Sequence, residues 1–231
     1  MTGANIRHSC VSVEAYTPEP IVTPARATLQ TIELDPFSCS LANETVKAQR
    51  FFTREDDGFQ QVWIADTVFM NCPGGKDGNV SRQKTAWQKL VREWQACRVG
   101  SAIAVLFSVE ILQVSQVGAG GPLPLDFPLC YPRTRVAYNC VSEEVESRQV
   151  SLFEEAVASV AGAVEEAESP PHASCIAYLP AWNPKASLEV IQNLRQGGSP
   201  TMAGMHDRRA IARFKKAFAP IGRCVWSREG W

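Results

Sequence analysis

Val68-Phe69-Met70-Asn71-Cys72-Pro73-Gly74-Gly75 decides how this chain is read. Three apolar residues run straight into an amide, then a proline and two glycines. A parallel strand buried on both faces shows such a continuous apolar run. In open α/β sheets, ligands sit in the crevice outside the carboxyl ends of the strands. Asn71 is then the first side chain past the strand, with one acceptor oxygen and two donor hydrogens. Pro73 fixes φ, and Gly74-Gly75 let the backbone come close to a ligand. The same residues also fit a plain strand followed by a turn, so the surrounding sequence has to decide.

Upstream, Thr31-Ile32-Glu33-Leu34-Asp35-Pro36 predicts a short strand that ends in an acid. Ser40 is a plausible N-cap for a helix through Leu41 to Val46. A carboxylate at a strand end beside a helix N-terminus can bind the polar part of a cofactor. The backbone N–H groups serve an anion and Asp35 a cation or hydroxyl groups. Glu55-Asp56-Asp57-Gly58 is a turn by composition, and it can equally place Asp57 at the lip of the same crevice. Tyr16-Thr17-Pro18-Glu19-Pro20 predicts an extended entry, with Pro24 in the first turn of a short helix through Ala25 to Leu29. Residues 1–15 read as a flexible arm.

Downstream, Lys76 to Ser81 reads as a mobile loop over the site. Trp87, Leu90, Val91, Trp94 and Cys97 recur at helical spacing, with Lys84, Lys89, Arg92 and Arg98 on the other face. That basic face is either solvated or laid on phosphate. Ser101 to Phe107 is the strongest strand in the chain, followed by a short helix from Val109 to Val117. Phe127 to Tyr131 and Val136 to Cys140 predict a hairpin at the sheet edge. Ala173 to Leu179 and Ile221 to Trp226 complete the strands. The expected fold is α/β, with a single mostly parallel sheet and helices on both faces.

Charge is unevenly distributed. The 231 residues are 45% hydrophobic and 20% charged, with a formal net charge of -1, so nucleic acid has no global signature here. Residues 143–168 hold eight glutamates against one arginine, on the outside of a predicted amphipathic helix that packs on the sheet or on a partner. From Ser199 onward seven basic residues face two acids. A basic helix over about 205–218 carries Arg208, Arg209, Arg213, Lys215 and Lys216, with Asp207 as its cap and Ile211, Phe214 and Phe218 facing inward. Eight scattered cysteines and three histidines form no zinc-ligand spacing, which points to no metal and a reduced cytosolic chain. No apolar run reaches the length of a membrane span.

Tyr16-Thr17-Pro18, Leu34-Asp35-Pro36 with Ser38, Ala42 and Asn43, Glu55-Asp56-Asp57-Gly58-Phe59 to Trp63, and Phe69-Met70-Asn71-Cys72-Pro73 occur in an ordered series. That series resembles phage-type, Dam-like DNA adenine-N6 methyltransferases. The match is dense over roughly residues 16–107 and weaker to the end of the chain. The resemblance implies a Rossmann-like class I methyltransferase fold over 16–231, S-adenosylmethionine as cofactor, double-stranded DNA as substrate, and the cytoplasm of a bacterial host. It implies that Tyr16, Thr17, Pro18 and Ser38 line the cofactor pocket, that Asp35 holds the methionine or ribose end, and that Asp57 meets the adenine edge. Asn71, the Cys72 carbonyl and Pro73 form the catalytic turn. Lys76, Arg82, Lys84, Arg208, Arg209 and Lys215 are the expected DNA contacts. The acidic helix is the expected surface for a second copy or another protein.

The chain departs from the family at Cys72 and Gly74, where the family pattern is Asn-Pro-Pro followed by an aromatic residue. Gly74 has no ring to stack on a target base, a contribution worth about 1–3 kcal/mol. Phe69, Trp63 or an aromatic from the following loop are the sequence candidates to replace it. A catalytically silent relative that binds DNA or a phage or host protein is the alternative. Transfer to cytosine N4 and a nucleophilic Cys72 stand behind it.

Overall fold

The computed structural model describes residues 15–116, 122–140, 165–166, 173–181 and 208–226. The expected N-terminal arm before Ala15, most of the 143–168 helix and the Asp207 cap lie outside these residues. The central sheet has seven strands: β1 (Leu34–Asp35), β2 (Arg50–Phe51), β3 (Ala65–Asn71), β4 (Val99–Leu106), β5 (Leu129–Pro132), β6 (Cys175–Leu179) and β7 (Gly222–Val225). They lie in the order β7-β5-β6-β4-β3-β1-β2. Strands β1 to β5 point the same way. β6 runs antiparallel between β4 and β5, and β7 runs antiparallel at the edge.

Among the described residues five α-helices accompany the sheet: α1 (Glu19–Leu29), α2 (Ser40–Val46), α3 (Arg82–Gln95), α4 (Ile111–Val114) and α5 (Arg208–Phe218). Side chains alternate across each strand, so the sheet feeds two cores. Val68, Met70, Ala102, Ala104, Cys175 and Ala177 pack on the side of α3, against Trp87, Leu90, Val91 and Trp94. Phe69, Ile103, Val105, Ile176 and Tyr178 pack on the side of α1 and α5, against Ile21, Val22, Ile211, Phe214 and Phe218. Because both faces are covered, the strands read as unbroken apolar runs. The buried indoles keep their polar ends satisfied. Trp94 donates to the Pro180 carbonyl at 3.0 Å and Trp87 to the Pro122 carbonyl at 3.2 Å.

The strand order reverses between β1 and β3. From β1 the chain moves through α2 to β2 on one side. From β3 it moves through α3 to β4 on the other. Right-handed crossovers wound in opposite directions put their helices on opposite faces. Accordingly Val46 of α2 joins the α1 layer while α3 builds the other core. This reversal is where an α/β sheet opens a crevice at its strand ends.

Several sequence expectations need correction. The first helix begins at Glu19 rather than Ala25, with Pro20 in its first turn and Pro24 inside it. Proline at the start costs nothing, because the first N–H groups have no helical partner. Cys39, not Ser40, caps α2, its sulfur accepting from the Ala42 N–H at 3.4 Å. Cys97 leaves the core stripe: it follows the helix with φ 57° and is exposed. The predicted edge hairpin does not form. β5 pairs with β6 and β7 inside the large sheet, whereas Asn139–Cys140 pairs with Ala15–Tyr16 and with Glu165–Glu166 in a separate small sheet. Glu165–Glu166 is therefore extended, which the 143–168 helix did not anticipate. Lys76–Asp77 and Val80–Ser81 form a two-stranded hairpin where a loop was expected.

Candidate functional site

Three adjacent strand ends frame the position at which such a reversal of strand order places a crevice. β1 ends at Asp35, β3 at Asn71, and β4 leads into Phe107. Leu34 pairs with Val68, so Asp35 is level with Phe69 and Asn71 stands two residues farther out. Two residues of strand amount to about 7 Å. Asp35 therefore lies deep in the crevice and Asn71 at its rim.

Asp35 is 2% exposed. Its carboxyl accepts the Phe37 N–H at 3.1 Å. Burial pushes its pKa up to about 8, against the opposing effects of that N–H and of the nearby Ser38 hydroxyl. The Ser38 Oγ is itself buried and makes no hydrogen bond of ordinary length and angle. A buried acid at a strand end, whose pKa stays raised despite the N–H and hydroxyl beside it, is the pattern of a ligand-binding group.

Aromatic rings wall this deep end. Phe37 lies 4.7 Å from Phe59 and 5.7 Å from Trp63, centroid to centroid. The loop that carries Phe59 is pinned against β1. Trp63 donates to the Gly58 carbonyl at 2.8 Å, and a methyl group on Gly58 would fall 1.9 Å from the Pro36 oxygen. Only glycine allows that approach. Its neighbour Asp57 is exposed with φ 51°, held by its side chain accepting the Phe59 N–H at 3.1 Å. Asp57 is thus an exposed turn residue on the loop packed against the end of β1.

Tyr16 reaches the same region through its hydroxyl, which accepts from the Cys39 thiol at 3.4 Å. Thr17 is buried, and Pro18 caps α1. Tyr16 is thereby brought beside Cys39, in the segment that also carries Asp35 and Ser38. The contact between Tyr16 and Cys39 has no sequence signal, and neither does the Phe37, Phe59 and Trp63 cluster.

The turn after Asn71 is built on a structural thiol. Cys72 is 3% exposed. Its S–H is placed to donate to the carbonyls of Pro73 at 3.3 Å and Arg82 at 3.5 Å. Burial drives its pKa far above the ordinary thiol value, outweighing the Arg82 charge that lowers it. Burial and the raised pKa both disfavour a nucleophilic Cys72. Its side chain packs inward while the peptide of residues 72 and 73 turns along the rim.

The aromatic substitutes named from sequence are also corrected. Phe69 and Trp63 are both fully buried: Phe69 points from β3 into the α1 core, and Trp63, in the segment before β3, points into the α3 core. The segment from Lys76 to Ser81 holds no ring. Phe107, half-buried just past β4, is the aromatic that neighbours the turn. A methyl group on Gly74 would lie 3.6 Å from its Cζ.

The expected basic contacts fall in two places. Lys76, Arg82 and Lys84 surround the start of α3. There Arg82 lies 3.4 Å from the Asp77 carboxylate and 5.7 Å from the centre of the Phe59 ring. Arg208, Arg209 and Lys215 are exposed on α5, with the Lys215 ammonium 5.6 Å from the Trp226 ring. About 9 Å of helix separates Arg209 from Lys215. The two groups belong to helices on opposite faces of the sheet. Among the described residues no helix is long and apolar enough to cross a membrane. Comparison with family models, with curated proteins and with solved structures found no match to the chain.

Proposed function

We propose that this protein transfers a methyl group from S-adenosylmethionine to the exocyclic N6 amino group of adenine in DNA. One observation carries the reading: the strand order reverses between β1 and β3, at whose ends stand Asp35 and Asn71. The finer fold assignment, a class I methyltransferase sheet, rests on the same reversal and on the antiparallel strand slotted between β4 and β5.

The residues present fit the cofactor. Asp35 offers a buried carboxyl to a cationic or hydroxyl-bearing end, Ser38 an unsatisfied hydroxyl, and Phe37 and Phe59 ring surface for apolar or cationic parts. When bound, S-adenosylmethionine supplies an electrophilic methyl group on a sulfonium. The remaining task falls to the rim. An exocyclic amino group is a poor nucleophile because its lone pair is delocalised into the ring. The Asn71 side-chain oxygen and the Cys72 backbone carbonyl would each accept one N–H. Together they bias the nitrogen toward tetrahedral geometry and orient its lone pair. This is positioning by fixed dipoles, with no covalent intermediate on the protein. The base leaves the duplex to reach them, at a cost of about a few kcal/mol.

The test is calorimetry with S-adenosylmethionine, followed by labelled methyl transfer to unmodified duplex DNA. Binding with base-resolved N6-methyladenine supports the proposal. Binding without transfer selects the silent relative, which Gly74 favours. Absence of binding removes the enzymatic reading and leaves the silent relative.

A further inference from the structure

We propose that Phe107 supplies the stacking surface for the extruded base that Gly74 lacks. The inference rests on the methyltransferase reading above and names the acceptor half of its site. β3 lies between β1 and β4. Asp35, Asn71 and Phe107 therefore stand in a row across the strand ends, each one strand over, about 5 Å apart in the sheet direction. The cofactor groups lie on the Asp35 side of Asn71. A base gripped by Asn71 is left the other side, and that side belongs to Phe107. Asn71 pairs with Val105, so Phe107 emerges two residues beyond Asn71, level with the turn through Pro73 and Gly74.

The ring is both fixed and accessible. It is half-buried and packs against the layer that holds Ile103 and Val105. Its backbone carbonyl accepts from the Ser174 hydroxyl at 3.5 Å, and Ser174 Oγ is 3.1 Å from the buried Tyr138 hydroxyl. A flat ring held this way suits base stacking, which tolerates any nucleobase and needs only a π-face. The spacing of 3.6 Å between a Gly74 methyl and Phe107 Cζ is ordinary van der Waals contact. A larger ring at position 74 would compete for the volume Phe107 already fills. On this view Gly74 is small because the ring arrives from the neighbouring strand.

The experiment uses the full chain and a duplex with 2-aminopurine opposite an abasic site, so that the probe base is already out of the stack. Wild type, Phe107→Leu, Phe107→Tyr, Phe107→Ala, Gly74→Tyr and the double variant Phe107→Ala/Gly74→Tyr are compared. S-adenosylmethionine affinity and thermal unfolding are measured beside them. Phe107→Leu is expected to weaken duplex binding and lower probe quenching about 10- to 100-fold, with cofactor affinity unchanged. Phe107→Tyr keeps both. Gly74→Tyr alone gives no gain, and the double variant recovers what Phe107→Ala loses, a non-additivity that a merely structural role would not produce. Unchanged quenching in a folded Phe107→Leu that still binds cofactor overturns the assignment and leaves the enzymatic reading standing. A wild type that fails to bind S-adenosylmethionine overturns both.

Discussion

Phe37 donates its backbone N–H to the Asp35 carboxyl at 3.1 Å, yet burial still holds that acid neutral to about pH 8. One N–H does not replace the water that a carboxylate loses. Unfolded, the same group ionises near 3.8. Between about pH 4 and pH 8 the folded chain therefore binds more protons at Asp35 than the unfolded one. Its contribution to stability falls as pH rises through that window and levels off above it. Asp35→Asn is expected to raise stability at pH 7 by on the order of a few kcal/mol and to abolish cofactor binding. Denaturant titrations at pH 5 and pH 8 check the first outcome. Equal stability of variant and wild type at pH 8 would count against a buried neutral acid.

Cofactor binding should move the same proton. A cation placed beside Asp35 lowers its pKa, so binding at pH 7 is expected to release up to one proton. Affinity then rises with pH toward about 8 and flattens. Calorimetry in buffers of different ionisation enthalpy measures the release directly, and a zero slope would take Asp35 out of contact with the cationic end.

Asn71 is at the rim and half-buried, not part of the core. Asn71→Ala is expected to lower methyl transfer at least about 100-fold, the cost of losing one positioned polar group in a transition state. Cofactor affinity should stay nearly unchanged, because Asp35 ends another strand and Ser38 lies in the segment that follows it. Full transfer by this variant would remove Asn71 from the mechanism.

Cys72 is buried against two carbonyls, whereas Cys97 is exposed. Iodoacetamide at pH 8 should label Cys97 well before Cys72, as mass spectrometry of the digested protein would show. Cys72→Ala should keep transfer and cost about 1 kcal/mol of packing, because the backbone carbonyl it leaves in place is the group the mechanism uses. Loss of transfer in a folded variant would reopen thiol chemistry.

Gly58→Ala tests the lip. The new methyl would meet the Pro36 oxygen at 1.9 Å, so the loop bearing Asp57 and Phe59 has to move. Loss of about 2 kcal/mol or more is expected, together with weakened cofactor binding. Unaltered binding would show that the aromatic wall is not part of the pocket.

The apolar run into Asn71, the helical stripe of Trp87, Leu90, Val91 and Trp94, and the acid at the end of a short strand were all legible from residue order alone. Each depends on local periodicity, which burial on two faces or on one stripe writes directly into the chain. Asp35 and Asn71 could be placed at strand ends for that reason. Other features depended on which strands lie next to each other. β5 sits inside the sheet because β6 and β7 flank it, a pairing between distant segments that no turn signal encodes. Trp63 and Phe69 looked available as rings, but they are buried. Phe107 looked like the end of a core strand, and it neighbours Gly74 only because β4 lies beside β3. Composition and periodicity determined the alternation of buried strands and helices and the chemistry offered at their ends, since those follow from each residue's own surroundings. Tertiary structure alone decided the order across the sheet, and with it which ring, carboxyl and amide stand at neighbouring strand ends, because hydrogen bonding between strands joins residues far apart in the chain.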